Sequence, residues 1–148
     1  MKVLVADDDP VYRDLLESLL RQWQFEPIVV SDGLGAWEIM QGRDAPPVVL
    51  LDWMMPNMEG FEVARRIRSH DQSGSKYIIL ITGSKKEDEL LQVLICGADD
   101  YLIKPFHPMD LKVHLRCALR VLRLETELTE ARLELDRLRS GSRELATV

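Results

Sequence analysis

Continuous apolar runs and amphipathic stretches alternate along the chain. Val3-Leu4-Val5-Ala6 is a short apolar run that ends in Asp7-Asp8-Asp9, as a buried strand would. Asp9-Pro10 has the form of an N-cap followed by proline at the first helical position. Behind it Tyr12, Leu15, Leu16, Leu19, Leu20 and Trp23 recur at helical spacing. Pro27-Ile28-Val29-Val30 reads as a second strand, stopped by Ser31-Asp32-Gly33. A helix through Ala36, Trp37 and Met40 follows, closed by Gly42 and the Pro46-Pro47 pair. Val48-Val49-Leu50-Leu51 is the third run, unbroken as in a strand buried on both faces of a parallel sheet, and it ends abruptly at Asp52. Pro56 and Gly60 bracket a loop into a third helix through Phe61, Ala64 and Ile67, with Arg65, Arg66 and Arg68 on its wetter side.

A loop at Ser73-Gly74-Ser75 leads into the fourth run, Tyr77-Ile78-Ile79-Leu80-Ile81-Thr82. Ser84 and Glu87 have capping-box spacing, which predicts a fourth helix from about Lys85 to Gly97. Asp100 to Pro105 is the fifth strand, and a last helix begins near Met109. Strand followed by helix, five times over, predicts a doubly wound α/β domain with right-handed crossovers. A (β/α)₈ barrel would need about 250 residues, so a five-stranded open sheet is the economical closure.

The last helix does not stop with that domain. Val121, Leu124, Leu128, Ala131, Leu135 and Leu138 alternate steps of three and four, flanked by charges of both signs. A stripe this narrow is a coiled-coil seam rather than the broader face of a globular helix. The pattern divides the chain into a domain over 1–120 and a coiled-coil extension over 121–139. Ser140-Gly141-Ser142 is expected to break the helix, leaving 140–148 as a frayed end or the start of a further domain.

Composition narrows the function classes. The net charge of −6 argues against a nucleic-acid-binding surface, which needs a basic patch. No apolar run approaches the ~20 residues that cross a bilayer, and the N-terminus lacks a signal-peptide core. Cys96 and Cys117 have no metal-ligand spacing and read as reduced, partly buried thiols of a cytoplasmic protein.

The chemistry lies at the strand ends. Taken alone, Asp52 could be a helix cap or a group aimed into the crevice where open α/β sheets bind ligands. Asp7 and Asp8 end the first strand, Asp52 the third, Thr82 the fourth and Lys104 the fifth, so one sheet edge gathers all five. Three carboxylates together raise one another's pKa unless a cation is present, and a few hard oxygen ligands suit Mg²⁺. No strand is followed by a glycine-rich phosphate loop, which argues against a nucleotide site. A carboxylate, a divalent cation, a hydroxyl and an ammonium form a set for phosphoryl transfer, with aspartate as the acceptor of an acyl phosphate.

These residues sit in VLVADDDP, LLDWMMPNMEG, ITGS and GADDYLIKPF, and over about residues 1–120 the sequence resembles the receiver domain of two-component response regulators. The resemblance implies a flavodoxin-like sheet in the order 2-1-3-4-5. It implies Asp52 as phosphoacceptor, charged by a sensor histidine kinase or phosphotransfer protein. Asp8 would be a direct Mg²⁺ ligand, Asp7 a ligand through water, and the Met54 backbone carbonyl a further ligand beside Asp52. Thr82 and Lys104 would bind phosphoryl oxygens, and Lys104-Pro105 matches the family's cis peptide. Tyr101 matches its switch aromatic, which turns inward as the threonine moves. Asp9 lies outside the metal pair, as the cap of the first helix.

The fourth helix, fifth strand and fifth helix would report the switch, and Leu90 to Cys96 is apolar on nearly every side, which calls for cover on its outer face. Homodimerisation through that face and the coiled coil is the expectation. The extension resembles linkers that precede diguanylate cyclase (GGDEF) domains, so the chain is read as a switch rather than an enzyme, acting on an output of that kind. The chain carries no helix-turn-helix for DNA. A stand-alone receiver acting by dimerisation or docking is the alternative. A small Mg²⁺-dependent phosphatase is another, but it needs an acid/base carboxylate two residues after Asp52, where Met54 stands. His70, His107 and His114 show no ligand spacing, and Met54, Met55 and Met58 are expected to pack.

Overall fold

The computed structural model describes residues 1–70, 75–83 and 87–146. Five strands, β1 (Lys2–Ala6), β2 (Glu26–Val30), β3 (Val48–Asp52), β4 (Tyr77–Thr82) and β5 (Asp100–Ile103), alternate with five helices. The helices are α1 (Pro10–Gln22), α2 (Gly33–Met40), α3 (Gly60–His70), α4 (Glu87–Ile95) and α5 (Pro108–Ala146). Every strand pairing is parallel and the sheet order is β2-β1-β3-β4-β5, the doubly wound, flavodoxin-like arrangement that the sequence pattern predicts.

Alternation along the strands divides the core into two layers. Leu4, Ala6, Val49, Leu51, Ile78 and Leu80 face α2, α3 and α4, where Ala36, Met40, Val63, Ala64, Ile67 and Val93 cover them. Val3, Val5, Leu50, Ile79 and Ile81 face α1 and α5, packed on Leu16, Leu20, Leu111 and Leu115. All five residues of β3 and all six of β4 are buried, which is why those segments read as unbroken apolar runs.

Local signals account for the helix starts. The Asp9 carboxylate accepts from the Val11 amide, with Pro10 opening α1. Asp32 caps α2 through the Gly35 amide and also accepts from Asn57 Nδ2 at 2.8 Å, and these two bonds hold its carboxyl below the usual range. The proposed Ser84–Glu87 capping box and the Ser73-Gly74 part of the predicted loop fall outside the described residues. Gly97 closes α4 in a left-handed conformation, φ +88°.

Several expectations need correcting. α5 runs without a break through Ser140, Gly141 and Ser142 to Ala146, so the predicted stop does not occur. Helix-disfavouring residues cost about 0.5–1 kcal/mol each, too little to end a helix with good formers on both sides. Cys96 is buried as expected, but Cys117 is exposed, because α5 seats Leu111, Leu115, Ala118 and Leu122 on the sheet and turns Cys117 away. Met55 packs, whereas Met54 is exposed.

Arg68 is not a merely solvated charge. Its guanidinium donates to the Gly97 carbonyl at 2.6 Å and the Lys76 carbonyl at 2.8 Å, and it pairs with Asp99. Asp99 in turn accepts from the Ile78 amide at 2.8 Å, so one fork ties α3 to the start of β4 and to the turn before β5.

Candidate functional site

The carboxyl ends of β1, β3 and β5 deliver the charged groups to one place. Asp7 is fully buried, Asp52 is nearly so and Asp8 is exposed, and one oxygen from each lies within 4.8 Å of the others. Lys104 Nζ stands 2.9 Å from Asp7 Oδ2 and 3.4 Å from Asp52 Oδ1, bridging the two strand ends. Asp7 is fixed further by the Asp9 amide, which donates to its Oδ1 at 2.9 Å. Thr82 is buried at the end of β4, and its carbonyl accepts from the Lys104 amide at 2.7 Å. The site therefore brings together Asp7, Asp8, Asp52, Thr82 and Lys104, and the Lys104–Pro105 peptide is cis.

The loop after β3 is shaped by close backbone approach. The Trp53 amide donates to the Ile81 carbonyl at 2.8 Å and the Gly60 amide to the Trp53 carbonyl at 3.0 Å. A Cβ at Gly60 would lie 2.2 Å from the Asp52 carbonyl oxygen, so only glycine lets α3 begin against the strand end. Asn57 supplies the left-handed residue of the loop, φ +68°, and its bond to Asp32 ties the loop to α2. Phe61 stacks beside Trp53 with ring centroids 5.7 Å apart, covering one side of the loop.

Electrostatics at the site are unfavourable to a bare anion. Burial, then the charge of Asp7, pushes the Asp52 carboxyl up from 3.8 to about 7, against the opposing pull of Lys104. For Lys104, burial opposes the charged form, but the hydrogen bond to Asp7 and the attraction of Asp52 and Asp7 outweigh it, so its ammonium holds its proton more tightly than usual. One ammonium for three carboxylates leaves the cluster short of positive charge. Converging oxygen donors, two of them buried, fit a hard divalent cation such as Mg²⁺, and no histidine or cysteine among the described residues joins them.

Two residues that support the site and one contact away from it carried no sequence signal strong enough to find them. Tyr12 presents its ring 4.0 Å below the Lys104 ammonium and packs on Phe106. Arg13 donates to the Asp7 carbonyl at 2.9 Å from one turn into α1. His114 of α5 contacts the Asp100 carboxylate at the start of β5. Tyr101, the proposed switch aromatic, lies on β5 beside Leu80 and is 38% exposed, so it is not turned inward here. No helix among the described residues is long and apolar enough to cross a membrane.

An open parallel sheet of this order, with a carboxylate cluster, a hydroxyl and an ammonium at its carboxyl edge, defines a phosphoryl-accepting class of flavodoxin-like domain. The model of the response regulator receiver domain matches residues 3–116, and the chain belongs to that family. It is 34% identical over 118 residues to the phosphate regulon transcriptional regulatory protein PhoB of Pseudomonas aeruginosa, covering 80% of this chain and 51% of that protein. It is 32% identical over 120 residues to the chemotaxis protein CheY1 of Helicobacter pylori, covering 80% of this chain and 97% of the relative. The chain thus spans about half the length of the first relative and nearly all of the second.

Among solved structures it resembles the receiver domain of sensor histidine kinase PA1611 from Pseudomonas aeruginosa, which has a magnesium ion coordinated in its active-site cleft. That match has 28% identity and a TM-score of 0.70 over 80% of this chain and 94% of the other. It also resembles a probable two-component response regulator/GGDEF domain protein, with 28% identity and a TM-score of 0.77 over 83% of this chain and 50% of that one. Receiver domains are signalling switches that take phosphoryl groups from histidine kinases, and this chain is a phosphoacceptor of that kind.

Proposed function

We propose that Asp52 is the residue phosphorylated, with Asp7, Asp8, Asp52 and the Met54 carbonyl holding Mg²⁺. The observation that carries this is the convergence of the three carboxylates with Lys104 bridging Asp7 and Asp52. An Asp52 carboxylate oxygen attacks the phosphorus of a phosphohistidine. The P–O bond forms as the P–N bond breaks, and the leaving imidazole ends neutral after taking a proton. The cation supplies charge neutralisation for the reacting oxygens. Lys104 pairs with one phosphoryl oxygen, and Thr82 donates to another. Its movement opens the space into which Tyr101 turns from its exposed position.

The signal leaves through α4, β5 and α5. Leu91, Leu94 and Ile95 are 53%, 74% and 81% exposed, an apolar outer face on α4 that a second copy would cover on phosphorylation. Ile95→Glu is expected to abolish the extra dimerisation that beryllofluoride induces, measured by light scattering. Unchanged association with and without the analogue would remove this face from the interface. The coiled-coil extension of 121–139 then passes the signal from the 1–120 domain to an output beyond it. Diguanylate cyclase is favoured, because a receiver joined to GGDEF is among the similar structures. The near-complete coverage of CheY1 supports a second reading, a stand-alone receiver that docks a partner.

The deciding experiment incubates the protein with Mg²⁺ and a small phosphodonor or beryllofluoride, comparing wild type with Asp52→Asn by intact mass and tryptophan fluorescence. Trp53, buried beside Asp52, is the reporter. Wild type is expected to gain one phosphoryl group only with Mg²⁺, and the variant none. No Mg²⁺-dependent change in wild type sinks the proposal, and an equal response of both proteins assigns the wrong residue.

A further inference from the structure

The face that α5 turns away from its own domain has an order of charges that selects one orientation of partner. The buried residues of α5 end at Leu122, and every described residue from Arg123 to Arg143 is exposed. Twenty-four residues of helix follow Leu122, about 36 Å of rod at 1.5 Å per residue. Leu124, Leu128, Leu135 and Leu138 are between 47% and 60% exposed along one stripe of it. Written as heptads, Val121, Leu128 and Leu135 take the a positions, and Leu124, Ala131 and Leu138 the d positions. The same spacing carried back one step puts Cys117 at d, on the receiver itself, where it is exposed. Val121, half-buried, and Val113, exposed, flank it.

The flanking g positions are then Arg120, Glu127 and Glu134, and the e positions Glu125, Arg132 and Arg139. In a parallel, in-register pair each g residue faces the e residue five places later on the partner helix. Those pairs are Arg120 with Glu125, Glu127 with Arg132, and Glu134 with Arg139, opposite in sign in all three cases. An antiparallel pair on the same seam, with Val121 opposite Ala131 and Leu124 opposite Leu128, instead sets Glu127 against Glu127 and Glu125 against Glu125. Within one chain Glu127 and Glu134 pair with exposed arginines of the same helix, Arg123 at 4.0 Å and Arg137 at 2.7 Å, which do not compete strongly with a partner helix.

We infer that the occupant of this face is a second copy of the chain, parallel and in register, with a seam that begins at Cys117 on the receiver and runs to Leu138. The inference rests on the homodimer and the coiled-coil extension proposed above, and it fixes the orientation, register and starting point of a dimer through that coil. Because the first core layer belongs to the receiver, the two domains are held at the root of the coil rather than joined through a free linker. Cys117 lies one turn beyond His114, which touches Asp100 of β5, so the root of the coil adjoins the switch strand.

Two measurements on the whole 148-residue chain, with and without Mg²⁺ and beryllofluoride, test this. Glu127→Arg is expected to weaken the dimer about tenfold by sedimentation equilibrium, and adding Arg132→Glu in the same chain to restore it. A short bismaleimide or mild oxidation is expected to link wild-type dimers covalently, with Cys117→Ser abolishing the link. In an antiparallel dimer the two Cys117 residues would be about 30 Å apart, and no link could form. A dimer that resists linking, or that Glu127→Arg leaves unchanged, overturns the inference while leaving coiled-coil dimerisation standing. A chain that stays monomeric in both conditions overturns both. Circular dichroism of the variants checks that the exposed substitutions leave the helix formed.

Discussion

In metal-free buffer at pH 8, Asp52→Asn is expected to melt on the order of 10 °C above the wild type, a gain of roughly 2–4 kcal/mol. The cause is the carboxyl that burial and Asp7 push up to about 7, from an ordinary value of 3.8. Between those two values the folded chain holds a proton that the unfolded chain has released. Stability therefore falls as pH rises from about 4 to about 7, and it levels off above the folded value. Below pH 4 both states are protonated at this residue, so the amide gains little there. The advantage of the variant should open across that window and stay open at higher pH. Millimolar Mg²⁺ should narrow it by stabilising the wild type, since the cation binds the folded carboxylates. Melting curves at pH 4, 6 and 8, with EDTA or Mg²⁺, check the prediction, and a pH-independent difference between the proteins would refute it.

Lys104→Met should have the opposite sign. The fully buried Asp7 has the Lys104 ammonium at 2.9 Å, and Asp52 has it at 3.4 Å. Removing one partner of such a pair leaves uncompensated charge in a poorly solvated place, which costs about 3–5 kcal/mol in buried pairs. Lys104 is itself partly accessible, so a loss of about 3 kcal/mol without metal is expected. Mg²⁺ should recover much of it, because it neutralises the same oxygens. Phosphoryl transfer should not recover, since methionine offers no ammonium to the transferred group. Urea unfolding with EDTA and with Mg²⁺ gives the first part, and phosphodonor labelling gives the second. Recovery of labelling with metal alone would remove Lys104 from the phosphoryl site.

The pattern of the chain made most of the fold legible because the sheet is parallel and doubly covered. Strands such as Val48–Leu51 and Tyr77–Ile81 have no solvated face, so they appear as unbroken apolar runs with their chemistry at the end. That geometry also made Asp7, Asp52, Thr82 and Lys104 readable as one site, since parallel strands of like length end together. What stayed hidden depends on pairings far apart in sequence. Arg68 looks like one of three solvated arginines on α3, and nothing local announces Asp99, thirty-one residues on, as its partner. His114 has no ligand spacing, and it meets Asp100 because α5 crosses back over β5. Tyr12 fits an amphipathic helix as a core residue, yet its ring serves the Lys104 ammonium. The helix stop at Ser140-Gly141-Ser142 failed for a different reason, since local propensity is weak beside the cooperativity of a helix already formed.

The continuity of α5 has a mechanical consequence. A rod of 39 residues, about 58 Å long, has no joint between its seat on the sheet and its far end. If the seat tilts by about 5°, the tip some 36 Å beyond Leu122 sweeps about 3 Å, roughly the rise of two helical residues. A displacement too small to disturb the packing of Leu111 and Leu115 would thus arrive amplified at whatever the tip touches. Under such a tilt the helix would act as a lever with its fulcrum at the edge of the core and a gain set by its length. Lengthening or shortening the rod by whole heptads should change the sweep without changing its direction.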